Sequence, residues 1–181
     1  LIEELKRIGA YENTILVVSG DHGIPGITRG KCSLYDLGTQ VPLAIRWPQG
    51  IATRGRVVDD FVSLPDLAPT FLEVAGVPIP ANMTANSLSP ILKSDASGLI
   101  EPQRDAVFTG RERHVAHART GNKPYPQRAI RTDQYLYIIN FEPDRWPMGT
   151  GPGFGAAKSA MPAYETLREN TFAAFGDLDA S

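Results

Sequence analysis

The stretch Ile15–Gly26, ILVVSGDHGIPG, is the most informative pattern in this 181-residue sequence. An apolar, partly β-branched run ends at Ser19-Gly20, and the pair Asp21-His22 follows directly. Such a run after a helix-like segment is typical of a strand buried on both faces in a parallel α/β sheet. The stretch therefore predicts a strand with Asp21 and His22 at its carboxyl end, where open α/β sheets collect their ligands.

The segments around this strand predict a chain in which helices and strands alternate. We expect helices at Leu1–Ile8 and within Ser63–Pro78, a loop at Gly20–Gly38, and strands at Val41–Trp47 and Asp105–Gly110. A short helix at 87–94 and a last helix at Tyr164–Phe175 complete the pattern. The apolar residues that we expect on the buried face of the Ser63–Pro78 helix are Leu64, Leu67, Ala68, Phe71, Leu72 and Ala75.

The last third of the chain begins with a polar segment and then predicts a hairpin. Two apolar-aromatic runs in Arg128–Phe141 flank the turn residues Thr132-Asp133. We interpret Arg128 and Arg131 as structural residues, paired with Asp133 or Asp144. A boundary near residue 120 separates the helix-and-strand segment from the hairpin segment.

Composition excludes several classes of function. The net charge of -2 argues against a nucleic-acid partner, because such domains carry a basic excess. The sequence contains no apolar run near the ~20 residues that span a bilayer. Cys32 is the only cysteine, so an internal disulfide and a cysteine metal cluster are both excluded.

The Asp21-His22 pair has two interpretations from chemistry alone. Carboxylate oxygen and imidazole nitrogen are both metal ligands, and the flanking glycines let the backbone turn sharply beside an ion. The alternative is a plain turn in which Asp21 caps backbone amides. A second acidic pair, Asp59-Asp60, precedes a predicted helix, and we interpret it as surface or helix-entry charge.

Several segments in order resemble the sulfatase family. In that family a strand ends in Ser-Asp-Asn-Gly or Ser-Asp-His-Gly, a loop with a lysine or arginine follows, and the next strand ends in Trp-Pro-Gly. VVSGDHG, GKCSLYDLG and VPLAIRWPQG match this order, and VSLPDLAPTFLEVAGVPIP resembles the helix that comes next. The segments GRERH and YPQRAIRTDQYLYIINF look most like the branch that contains the heparan N-sulfatases (sulfamidases).

The resemblance implies an α/β fold, the α/β/α sandwich of the alkaline phosphatase superfamily. Residues 1–120 would form the last part of the large domain, and residues 121–181 the start of a small antiparallel-sheet subdomain. It also implies metal-dependent hydrolysis of sulfate esters or sulfamates of sugars, in a secreted, periplasmic or lysosomal protein. The family nucleophile is a formylglycine from a Cys/Ser-x-Pro-x-Arg motif, which these residues lack. We therefore expect a fragment that is inactive and poorly folded alone.

By the same resemblance, Asp21 and His22 are metal ligands. The family's usual metal is calcium, which prefers oxygen ligands, whereas imidazole suits Zn²⁺ or Mn²⁺ better. Many members have asparagine where His22 stands. Either the metal is not calcium, or His22 contacts the anion instead. We expect a divalent cation, with calcium as the first choice.

Lys31 matches the family's sulfate-contacting cation, and we assign it a catalytic and substrate-binding role. Arg111, Arg113 and His114 follow a predicted strand and are expected to bind an anionic sugar, because guanidinium groups match sulfate and carboxylate oxygens. For both sets the alternative is a solvated loop. Cys32 lacks the following Pro and Arg that oxidation to formylglycine requires, so it is not the nucleophile.

Two other functions remain open from the sequence. A relative in the same superfamily that transfers phosphoryl or phosphonate groups would use similar metal and anion chemistry. A non-catalytic remnant or binding module would keep the fold without the reaction.

Overall fold

The computed structural model describes residues 1–25, 27–113 and 120–145. The predicted helix at Tyr164–Phe175 lies outside them. None of the helices in the described ranges is long and apolar enough to cross a membrane. In chain order the elements are α1 (Ile2–Arg7), β1 (Leu16–Ser19), α2 (Asp36–Thr39), β2 (Leu43–Arg46), α3 (Leu67–Val74), α4 (Ser89–Lys93), β3 (Ala106–Arg111), β4 (Gln127–Thr132) and β5 (Leu136–Asn140).

The chain divides into two units. The first consists of Leu1–Ser19 and Pro42–Val107, and the second of Gly20–Val41 and Phe108–Ser181. The second unit is therefore built from a loop segment early in the chain and from the C-terminal part. The predicted boundary near residue 120 stays a prediction.

In the first unit, β1 pairs with β2 in an antiparallel ladder that runs from Leu16 opposite Arg46 to Ser19 opposite Leu43. The predicted strands are confirmed. Burial on both faces is not found, because Val18 is 69% exposed and the β1–β2 sheet has two strands within the described residues. An apolar run predicts an extended segment, but the partners that cover its faces come from elsewhere in the chain.

The helix predicted within Ser63–Pro78 is present. A 3₁₀ turn at Leu64–Asp66 leads into α3, and Ser63 and Asp66 form a reciprocal capping box. Pro69 lies in the first turn of α3, where its missing N–H breaks no hydrogen bond.

The buried face of α3 differs from the predicted one. Pro69 and Thr70 are buried, whereas Phe71 is exposed. The Thr70 hydroxyl donates to the Asp66 carbonyl at 2.6 Å and accepts from the Leu88 amide at 2.8 Å. These two bonds satisfy the buried hydroxyl, so a polar residue can lie on the buried face of the helix. The pattern of apolar residues does not predict this.

The core of the first unit forms around α4. Leu88, Ile91 and Leu92 are buried and pack against partly buried residues, including Trp47 and Val58. The Arg56 guanidinium donates to the carbonyls of Ile91 and Leu92 at 3.2 and 3.1 Å, and so satisfies the end of this short helix.

Two buried carboxylates organise the loops of the first unit. Asp60 accepts from the amides of Ile100 and Glu101 at 2.8 and 2.5 Å, so its predicted surface position is wrong. Asp66 accepts from Arg104 Nη1 at 2.9 Å, and Arg104 Nε donates to Glu101 at 2.8 Å. We call Asp66, Arg104 and Glu101 the buried ion-pair network.

In the second unit, β3, β4 and β5 form a sheet with β4 in the centre. The hairpin predicted around Thr132-Asp133 is confirmed: β4 and β5 pair antiparallel, with Ala129 opposite Ile138. Ala129 and Tyr125 are buried, which marks the packed side of this sheet.

The two hairpin arginines are bound to carboxylates, as a structural role predicts, but to different ones. Arg128 Nη2 lies 2.6 Å from Glu112 Oε1, and Arg131 Nε lies 3.0 Å from Asp36 Oδ1. The predicted partners, Asp133 and Asp144, are close in sequence, whereas the observed partners lie on other elements that the fold brings to the hairpin.

Candidate active site

The loop between β1 and β2 is tightly closed by three glycines. A Cβ added to Gly23 would lie 1.9 Å from the Leu37 carbonyl oxygen, and one added to Gly30 would lie 2.2 Å from the Ile24 carbonyl oxygen. A Cβ on Gly38 would lie 2.5 Å from the Gly30 carbonyl oxygen. Only glycine allows these backbone segments to approach so closely.

Backbone hydrogen bonds join the two ends of this loop. The Gly23 amide donates to the Gly38 carbonyl and the Ile24 amide to the Leu37 carbonyl, each at 3.1 Å. The Lys31 amide donates back to the Ile24 carbonyl at 2.8 Å. These bonds place Lys31 beside the Asp21-His22 turn, although Lys31 and His22 are nine positions apart in the sequence.

Lys31 and Asp21 both lie close to His22, and their predicted roles stay predictions. Lys31 Nζ lies 2.9 Å from His22 Nε2, and His22 Nε2 lies 3.6 Å from Asp21 Oδ1. His22 Nδ1 lies 2.8 Å from the Gly23 carbonyl oxygen. A carbonyl oxygen only accepts, so Nδ1 carries the proton and Nε2 offers its lone pair to the Lys31 ammonium. We call Asp21, His22 and Lys31 the Asp-His-Lys corner.

The corner is open to solvent. The side chain of Asp21 is 90% exposed and that of His22 is 38% exposed, and Lys31 is also exposed. By contrast, Gly23 and Gly30 directly beneath these residues are buried. The corner is therefore a set of accessible charged groups on a packed backbone.

Cys32 follows Lys31 directly, and the charge of Arg111 also acts on its thiol. Burial raises the pKa of the Cys32 thiol, and the positive charges of Arg111 and Lys31 oppose that rise. Both Arg29 and Cys32 have positive φ angles, 60° and 72°. Non-glycine residues rarely adopt this conformation, so the loop holds Lys31 between two strained positions.

The donor set of the corner fits one side of a metal site. Asp21 supplies a carboxylate and His22 supplies Nε2, a ring nitrogen that can bind a metal. The single lone pair of Nε2 accepts from Lys31 in this structure, so a cation bound there would replace that hydrogen bond. The described residues contain no cluster of three or more His, Cys, Asp or Glu side chains that could hold a metal ion. Within them, a cation would therefore have two protein ligands, beside the ammonium of Lys31.

The predicted sugar-binding residues are only partly described. Arg111 is half-buried at the end of β3, and Arg113 donates through Nη1 to the Asn122 carbonyl at 3.0 Å. His114 lies outside the described residues. The grouping of all three around one ligand stays a prediction.

The first unit contains a cavity of about 570 Å³ that is not the predicted site. Its lining is mainly apolar and includes Trp47, Val58 and Ile91, and none of the corner residues contributes to it. The cavity lies beside the core around α4 and not at the Asp-His-Lys corner.

The parts of the site that act through the backbone were not predicted from the sequence. The close packing of Gly23, Gly30 and Gly38 was signalled by three glycines in one short loop, but their spacing fits no standard motif. The ion pair between Asp36 and Arg131 joins residues 95 positions apart and has no local signal.

Comparison with known proteins identifies the family. A family model for the C-terminal part of N-sulphoglucosamine sulphohydrolase matches residues 23–149. The chain is 32% identical over 143 residues to an ulvan-active sulfatase of Formosa agariphila, which covers 78% of this chain and 26% of that protein. It is 28% identical over 149 residues to N-sulphoglucosamine sulphohydrolase of Homo sapiens, which covers 77% of this chain and 27% of that protein.

A solved structure supports the same assignment. The crystal structure of a candidate sulfatase from Bacteroides thetaiotaomicron superposes with a TM-score of 0.63 at 26% identity, over 97% of this chain and 38% of that one. The chain thus spans about a quarter of the length of the curated relatives that it matches. It belongs to the sulfatases, and within them to the family of the N-sulphoglucosamine sulphohydrolase C-terminal part.

Proposed function

We propose that the whole protein hydrolyses a sulfate ester or a sulfamate of a sugar. The observation that carries this proposal is the convergence of the Asp-His-Lys corner, with Lys31 Nζ at 2.9 Å from His22 Nε2. The names of the relatives support the substrate class, because one is a sulfatase active on ulvan and another is an N-sulphoglucosamine sulphohydrolase.

Lys31 is the residue to which we assign direct contact with the sulfate group. Its ammonium is exposed and fixed by the His22 imidazole, so it can approach an anionic ligand without a large rearrangement. When the bond from sulfur to the leaving oxygen or nitrogen breaks, negative charge increases on the departing atom and on the sulfuryl oxygens. A preorganised ammonium at this place stabilises the transition state more than the ground state.

Asp21 and His22 are the residues that would hold a divalent cation, with calcium first and Zn²⁺ or Mn²⁺ as alternatives. When bound, such a cation supplies positive charge to the sulfate oxygens. The Asp21 carboxylate and the Lys31 ammonium both lie close to His22 Nε2, at 3.6 and 2.9 Å. A cation bound to Nε2 would take the lone pair that accepts from Lys31, and the ammonium would then be available for the sulfate.

The remaining roles follow from the family resemblance. Arg111, Arg113 and His114 would bind the anionic sugar, and the formylglycine nucleophile would come from outside these 181 residues. The chain alone would then be inactive, because it supplies one side of the site.

Sulfate release by the purified whole protein tests this function. We expect release from N-sulfated or O-sulfated glucosamine and from an aryl sulfate, at a rate at least 100-fold above that from the matching aryl phosphate. A strong chelator is expected to abolish release, and re-added metal to restore it. Lys93→Ala, at an exposed lysine in the first unit, is the matched control for Lys31→Ala.

Two results would contradict the proposal. Release of phosphate in preference to sulfate would favour a phosphoryl or phosphonate hydrolase. Release of neither, with no metal retained by the protein, would favour a non-catalytic remnant.

A further inference from the structure

An ion pair joins the hairpin to the loop that carries the Asp-His-Lys corner. Arg131 Nε on β4 lies 3.0 Å from Asp36 Oδ1 on α2, across 95 residues of sequence. The two side chains are 31% and 47% exposed. An ion pair this open contributes little to global stability, so its geometry is the more informative property.

The Arg131 end of this pair is fixed by the hairpin turn. Its Nη1 donates to the carbonyls of Thr132 and Asp133, the latter at 3.1 Å. The backbone of Arg131 lies opposite Leu136 in the β4–β5 ladder. The hairpin turn therefore holds the guanidinium through Nη1, and the guanidinium loses little further freedom when Nε pairs with Asp36.

The Asp36 end leads to Lys31 through short contacts. Asp36 is the first residue of α2, and the next two residues, Leu37 and Gly38, accept the amides of Ile24 and Gly23. Gly23 in turn follows His22, and its carbonyl accepts the His22 Nδ1 proton at 2.8 Å.

The same segment also supports Lys31. Gly38 packs so closely on Gly30 that a Cβ there would lie 2.5 Å from the Gly30 carbonyl oxygen. Lys31 follows Gly30 directly, and its amide donates to the Ile24 carbonyl at 2.8 Å. A shift of α2 is therefore transmitted both to the imidazole and to the ammonium.

We propose that Arg131 is a positioning residue for Lys31 and His22, and that it acts through Asp36 on α2. The proposal rests on the catalytic role given to Lys31 above. Arg131 does not touch the substrate in this account. It sets where the Lys31 ammonium stands, and a misplacement of about 1 Å in such a group costs about 100-fold in rate.

Kinetics of the whole protein with a sulfated sugar test this role. Arg131→Gln and Asp36→Asn are each expected to lower kcat about 10- to 100-fold, with KM changed less than about threefold. The double variant should be no slower than either single one, because both remove the same pair. Asp36→Glu, which keeps the carboxylate, should recover most of the rate.

Arg128→Gln is the matched control. Arg128 lies on the same strand and pairs with Glu112 at 2.6 Å, but it makes no ion pair with the described residues of the β1–β2 loop. We expect its kcat to stay within about twofold of the unaltered protein. An Arg131→Gln variant that is no slower than Arg128→Gln would overturn the proposal.

Combination with Lys31→Ala separates positioning from a general structural effect. In a protein that already lacks the ammonium, Arg131→Gln should lower kcat by a smaller factor than in the unaltered protein, because only its effect on His22 remains. An undiminished 10- to 100-fold loss in that background would contradict action through Lys31.

A spectroscopic measurement keeps the proposal testable if the protein releases no sulfate. The ¹⁵N shifts of the His22 ring should report Nδ1–H and an accepting Nε2, and Arg131→Gln should change the Nε2 shift while Arg128→Gln does not. An unchanged Nε2 shift in Arg131→Gln would refute the positioning role, whereas absent sulfate release would refute only the proposed function.

Discussion

The buried ion-pair network and the Asp-His-Lys corner both bring opposite charges together, but they treat those charges in different ways. In the network the side chains of Arg104 and Asp66 are 10% and 8% exposed. Asp66 accepts three hydrogen bonds: Oδ2 accepts from Arg104 and from the Ser63 amide, and Oδ1 accepts from the Asn86 amide. In the corner, by contrast, the carboxylate of Asp21 is 90% exposed.

The difference follows from the energy of charge in a protein. A buried ion is costly unless hydrogen bonds replace the water that it loses, so a buried network must be complete. An exposed group keeps its water and can exchange that water for a ligand. The network therefore fixes loops within the first unit, whereas the corner presents charges that are held in place and remain accessible.

Removal of Asp66 is expected to have the largest effect on folding. Asp66→Ala leaves the buried guanidinium of Arg104 without its carboxylate, and should lower the free energy of unfolding by about 3–5 kcal/mol. Denaturant unfolding of the whole protein measures this loss, and Asp66→Asn serves if the alanine variant does not fold. Asp59→Ala, at an exposed neighbouring acid, should change stability by less than about 0.5 kcal/mol. Equal losses of unfolding free energy in Asp66→Ala and Asp59→Ala would contradict the proposed difference between buried and exposed charges.

Removal of Lys31 should have the opposite profile. Lys31→Ala is expected to lower kcat/KM for a sulfated sugar about 100- to 1,000-fold. Its melting temperature should stay close to that of the unaltered protein, because the side chain is exposed. A loss of stability as large as that of Asp66→Ala, with a normal rate in the folded fraction, would show that the corner has a structural role like that of the buried ion-pair network.

Gly38→Ala tests whether the packed backbone under the corner positions it. The new Cβ would lie 2.5 Å from the Gly30 carbonyl oxygen and 2.6 Å from that of Ser33, so the loop must shift. We expect about 1–3 kcal/mol of destabilisation and a drop in sulfate release beyond it.

The matched control for Gly38→Ala is a glycine in open space. Gly55 has a φ of 71° and nothing within 4 Å of an added Cβ, and asparagine tolerates that conformation. Gly55→Asn should therefore retain both stability and rate. Full activity in Gly38→Ala would show that the close approach is not required.

Cys32 gives the smallest effect and reports on the burial of the loop. Because burial raises the pKa of its thiol, alkylation by iodoacetamide should reach half its maximal rate at a pH above ~8.5, the value for an exposed thiol. The same raised pKa favours the native state at neutral pH, and that contribution is lost as the pH rises through it. Between neutral and alkaline pH, the melting temperature of Cys32→Ala should therefore fall less than that of the unaltered protein. A half-maximal rate at or below pH 8.5 would contradict burial of the thiol.

Local patterns predicted much of this molecule. The strands β1 and β2, the helix α3 and the β4–β5 hairpin were predicted correctly, because each depends on residues adjacent in sequence. Asp21, His22 and Lys31 were selected as site residues through the order of motifs in a known family. The structure places Lys31 and Asp21 close to His22, and their roles stay predictions.

Features that depend on distant residues were not predicted. The inward turn of Thr70, the burial of Asp60 and the partners of Arg128 and Arg131 all require knowledge of which loop lies opposite. A sequence indicates that a polar residue needs a partner, but the partner is supplied by the fold. The antiparallel pairing of β1 with β2 was not predicted either, because it depends on which segment lies beside β1.

Cation binding by the whole protein tests the central claim most directly. Calorimetric titration of calcium into the metal-free protein should show one site that Asp21→Asn weakens at least 10- to 100-fold, while Asp59→Asn binds normally. Equal calcium affinity in the unaltered protein and in Asp21→Asn, or the absence of binding for calcium, zinc and manganese alike, would contradict the account of the Asp-His-Lys corner.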